Sequence, residues 1–170
     1  MLPASFSQQF DFHLFHPILG FSKNRISADS FLRRESDVIS CVFEQVVSVE
    51  DFDGIRLVRS LNIEDTKQQT ILEEDIVIYS FIMPGVEEDS HCGIGVFKWV
   101  EEQLAFRLVS AIDGIYGYFK VNKNDKRWCF NVIGNALRYP KIADEICTKN
   151  MSKKRVEEVV DYLLKEAEMV

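Results

Sequence analysis

The chain has 170 residues, 46% of them hydrophobic and 28% charged, and a net charge of −7. That length buries about 70% of the unfolded surface, and that composition excludes a disordered or fibrous chain. No run reaches the ~18 apolar residues of a membrane span, and the acidic balance argues against binding a phosphate backbone.

The acid is unevenly placed. Residues 44–102 hold fourteen acidic and four basic side chains, a net of −10. Residues 1–43 balance at four of each, and residues 103–170 carry nine acids against twelve bases, a net of +3. A polarised field of this kind selects partners of opposite sign and speeds encounter with them.

In chain order, Phe10, Phe12 and Leu14 alternate with Asp11, His13 and Phe15, which predicts a short half-buried strand ended by His16-Pro17 and Gly20. Ser27 or Asp29 caps an expected helix from near residue 30, in which Phe31, Leu32, Val38, Ile39, Val42, Val46 and Val47 recur at helical spacing. The β-branched stretch 38–49 also fits a strand. Asp53-Gly54 is a turn, and Ile55, Leu57, Leu61 and Ile63 mark a strand over 55–63.

The clearest β region follows. Residues 76–83 are an apolar run ended by Pro84-Gly85, and residues 92–100 and 103–111 flank Glu101-Glu102 as a tight hairpin. Residues 115–121 and 127–133 flank the polar stretch 122–126, which reads as a second hairpin. Pro140 opens a short helix to Cys147. Ser152 caps a final helix in which Val156, Val159, Val160, Leu163, Leu164 and Ala167 form one apolar stripe. The expected fold is α+β in one domain over 1–170: an antiparallel meander of about five strands, with helices on one face that include a C-terminal amphipathic helix.

Chemistry-bearing motifs are sparse. The cysteines Cys41, Cys92, Cys129 and Cys147 form no C-x-x-C and read as reduced, buried, small apolar residues. His13 and His16 project to opposite faces of a strand, which argues against a metal site. Ser90-His91-Cys92 are sequence neighbours that a strand would separate, and Gly93-Ile94-Gly95 lacks the third glycine and helix of a dinucleotide fingerprint. A bulge or close backbone approach is the expected role of those glycines. The expectation is a non-enzyme with neither cofactor nor metal. The first twenty residues have no basic region before an apolar core, so no secretory leader is read and the cytoplasm is the expected compartment.

The acidic turns carry the functional expectation. In a meander, Glu73, Glu74 and Asp75 fall at the same end as Glu101 and Glu102, while Glu87, Glu88 and Asp89 fall at the other. Tyr116 and Tyr118 share one strand face and are candidate interface anchors. The reading is a protein-binding domain that uses this acidic surface to bind and occlude a basic partner, such as a toxin domain neutralised by an immunity protein. It binds neither nucleic acid nor membrane. The alternative is a small-molecule-binding domain with an aromatic-lined apolar cavity, for which thirteen phenylalanines supply the rings.

Overall fold

The computed structural model describes residues 12–22, 25–26, 33, 43, 54–82, 90–112, 115–119, 121, 125–148 and 151–168. The chain divides into two compact units, Met1–Ser60 and Leu61–Val170. The fold is α+β, with two antiparallel sheets and two described helices.

In the first unit, β1 (Phe12–His16) lies between β2 (Gly20–Phe21) and the start of β3 (Arg56–Glu64). The register pairs Phe15 with Phe21 and Leu14 with Leu57. The alternation read at Phe12 and Leu14 is a strand because period 2 puts both on one face, where they meet Ile26, Ile55, Leu19, Phe43 and Leu57. His16 closes the turn after β1: its Nδ1 accepts the backbone N–H groups of Ile18 at 3.1 Å and Leu19 at 3.2 Å. The expected helix over 30–49 and its strand alternative lie outside the described residues, except for Arg33 and Phe43.

In the second unit, the end of β3 turns at Asp65 into β4 (Thr70–Leu72), a strand too short to be read from its sequence. β5 (Asp75–Ile82), β6 (Ser90–Val100), β7 (Ala105–Ile112) and β8 (Ile115–Phe119) then form the expected meander. β9 (Trp128–Asn135) departs from expectation. The sheet order is β8-β7-β6-β5-β9, so β8 and β9 stand at opposite edges and are not a hairpin. Loop composition alone cannot say whether the chain turns back or crosses over. Here β9 pairs with the apolar β5, from Asp75↔Asn135 to Phe81↔Trp128. Val121, between the two strands, packs on the sheet face formed by Val77, Tyr79, Phe97, Leu108 and Phe130.

The alternation of β5 supplies both faces. Ile76 and Ile78 join Ile94, Val96, Val109 and Ile133 under the helices; Val77 and Tyr79 face the opposite way, toward Phe97, Phe130, Ile71, Leu61 and Ile63. Each fully buried side chain of this size contributes about 1.5–3 kcal/mol. The expected close approach at Gly95 is present: a Cβ there would stand 2.7 Å from Leu108 Cδ1 and 3.0 Å from the Val109 carbonyl oxygen.

α1 (Pro140–Thr148) and α2 (Lys153–Glu168) cover the first face. Proline suits a first turn, where its missing N–H is not needed. Ser152 caps α2 as expected, its Oγ accepting the Arg155 N–H at 3.3 Å. Val159 and Leu163 are buried and Val156 and Val160 half-buried, whereas Leu164 and Ala167 are exposed, so the buried stripe is narrower than the apolar one. The basic start of α2 is partly explained by Arg155, which forms a bidentate pair with Glu145 of α1 at 2.9 Å for each contact.

Candidate functional site

Antiparallel pairing brings Glu73, Glu74, Glu101 and Glu102 to one end of the five-stranded sheet, as expected. β5 starts at Asp75, β6 ends at Val100, and Ile76 pairs with Val96. The four differ in what they present. Glu74 adopts a left-handed conformation (φ 67°) in which its N–H donates to the Phe97 carbonyl and its own carbonyl accepts the Ala136 N–H, each at 2.8 Å. Its carboxylate lies 3.9 Å from Lys98 Nζ. Burial raises its pKa above the usual carboxylate value, and Lys98 opposes that shift.

Asp75 requires a correction: it is 5% exposed and contributes no surface charge. One carboxylate oxygen accepts the Leu72 N–H at 2.7 Å, and the other accepts Asn135 Nδ2 at 2.8 Å. Asn135 also donates to the Glu73 carbonyl at 3.3 Å, and its side-chain oxygen accepts the Leu137 N–H at 2.9 Å. Asp75 is thus the centre of a buried clasp joining the start of β5 to the end of β9. Burial pushes its carboxyl up to about 7, against the two hydrogen bonds that favour the ionised form. A run of three acids reads as a solvated turn because sequence does not reveal that its last member starts a buried strand.

Glu101 and Glu102 sit in a 3-10 turn, exposed and without an ion pair among the described residues. They border an open cleft of ≈ 330 Å³ whose wall includes Lys98, Trp99, Val109, Cys147 and Thr148. Burial pushes the Cys147 thiol up to about 11. Of the other described cysteines, Cys92 and Cys129 are exposed, which corrects the expectation that they are buried. They pair with Ser80 from either side, toward the end of β5 away from its buried start.

Glu87, Glu88 and Asp89 lie outside the described residues. Tyr116 and Tyr118 are on β8, paired in register with Ala111 and Val109. His13 donates from or accepts at Nδ1 toward Ser22, 3.1 Å from its carbonyl oxygen, and His91 is exposed on β6. Among the described residues no three His, Cys, Asp or Glu side chains are grouped to hold a metal ion, and no helix is long and apolar enough to cross a membrane.

Sequence reasoning missed one surface residue. Leu104, Phe106 and Leu108 alternate, so period 2 assigns Leu104 to the buried face of β7. The structure instead ends the turn on Leu104, left-handed (φ 45°) and 77% exposed. No protein-family model and no curated protein matches the chain.

Proposed function

We propose that this chain is a non-enzymatic binding protein whose acidic sheet end holds a basic protein partner and occludes it, in the manner of a cytoplasmic immunity protein that neutralises a cationic toxin. The observation that carries this reading is that Glu101 and Glu102 are exposed and, among the described residues, without an ion pair, at the sheet end that also holds Glu73 and Glu74. The adjacent carboxylates of Glu101 and Glu102 repel one another, and a partner's cations would relieve that repulsion. The surrounding −10 segment extends the attraction over about one Debye length, ~8 Å in physiological salt. Glu73, Glu101 and Glu102 are the recognition residues; Asp75 is a positioning residue behind them.

The test is affinity capture from the native host with the whole chain as bait, washed at low and then high salt. The expected result is one stoichiometric basic protein released by salt, and weaker retention by a Glu101→Gln/Glu102→Gln double variant. Equal retention by that variant at both salts would remove the electrostatic basis of the reading. The small-molecule alternative is less favoured. In the second unit the described phenylalanine rings pack on other aromatic rings, Phe97 against Phe130 at 5.3 Å, Phe81 against Trp128 at 4.7 Å and Phe106 against Trp99 at 5.1 Å between ring centres, and no phenylalanine lines the described cleft.

A further inference from the structure

Leu104 is badly suited to its position on every local ground. A left-handed backbone is strained at a non-glycine residue, and glycine or asparagine is the usual occupant. The turn needs only the Leu104 N–H, which donates to the Glu101 carbonyl at 3.1 Å, a bond that any residue except proline supplies. At 77% exposure its side chain adds little to the core. The other described left-handed residues have local accounts. Asn62 is of a type that tolerates the conformation, Gln68 belongs to the Asp65 turn, and Glu74 is pinned at both backbone groups.

The surroundings of Leu104 have the composition of a contact surface. Trp99 and Phe106 pair across β6 and β7 with ring centres 5.1 Å apart, one residue pair below the turn, and both are half-buried. Arg107, next along β7 and on the other sheet face, donates from Nε to Gln103 Oε1 at 2.6 Å. Tryptophan and arginine are residue types that anchor interfaces, and here both are half-buried beside a leucine that is 77% exposed at the same hairpin tip. The two glutamates disfavour insertion into an anionic bilayer, which would repel them, and favour a basic protein surface.

Building on the reading above, we propose that the β6–β7 turn is the anchor of the acidic end: Leu104 enters an apolar pocket on the basic partner, and Glu101 and Glu102 pair with the lysines or arginines around that pocket. The charges attract and orient; the leucine holds.

The probe is a phage-displayed library of random twelve-residue peptides, selected on the full chain, followed by affinity measurements with the synthetic winners. The expected winners combine lysine or arginine with a large apolar residue or an aromatic. Leu104→Asn, which suits the left-handed backbone and keeps the melting temperature, lowers their affinity about tenfold, the scale of losing an interface anchor. Leu104→Met keeps it within about twofold. Glu101→Gln/Glu102→Gln flattens the salt dependence instead. Basic peptides that bind Leu104→Asn as tightly as wild type would overturn the anchor and leave the acidic-surface reading standing. Failure of wild type to select basic peptides at all would overturn both. Leu104-dependent binding to phosphatidylserine vesicles, with no peptide selected, would assign the tip to a membrane and overturn the proposal.

Discussion

Asp75 illustrates how one residue links fold to pH. Its unfolded carboxyl titrates near 3.9. In the folded chain burial raises that value to about 7. Between these values the folded form holds a proton that the unfolded form has released. The stabilisation contributed by Asp75 is therefore complete below about pH 4, declines as pH rises toward 7, and is lost above that. The slope over the interval is at most about 1.4 kcal/mol per pH unit. Urea midpoints of wild type are expected to fall between pH 5 and pH 7.5, and Asp75→Asn, which has no proton to lose, is expected to flatten that fall. An unchanged slope in the variant would place the titration elsewhere. Cys147 offers a second check at this scale. Its thiol, pushed up to about 11 by burial, should react slowly with a thiol reagent at pH 8, while exposed Cys92 and Cys129 react quickly. Single-cysteine variants and labelling rates would measure the difference.

Elements follow from periodicity where one face is buried. α2 was readable as a helix because its valines and leucines recur every three to four residues, yet the stripe does not state how wide its contact is. Leu163 is fully buried and Leu164 is 37% exposed. Leu163→Ala is expected to cost about 2–5 kcal/mol and Leu164→Ala under about 0.5 kcal/mol, by denaturant unfolding. Equal costs would mean that the helix is rotated about its axis. In β6, Gly95→Ala is expected to cost about 1–3 kcal/mol, because the new methyl meets Leu108 and a backbone carbonyl that cannot withdraw. The tight β6–β7 hairpin was legible because Glu101-Glu102 interrupts two apolar runs. The missed Leu104 belongs to the same turn: alternation continues through it, while its backbone conformation depends on how the two strands close.

Over the whole molecule, the charge distribution is the property most directly inherited from sequence. A field from fourteen acids and four bases is expected to make association with a basic partner fast at low ionic strength and slower as salt rises, measured by stopped-flow fluorescence. An association rate that does not vary with salt would show that the field does not steer. Local order in the chain determined the α+β class, most strands of the meander and both C-terminal helices, because turn residues and the periods 2 and 3.6 depend only on near neighbours. Tertiary structure alone decided that β9 crosses to pair with β5, that Asp75 turns inward to Asn135, and that Leu104 points outward. The first two depend on residues far apart in sequence, whose competition for one buried face or one hydrogen bond has no local signature; the third depends on how the β6–β7 turn closes, which strand alternation does not report.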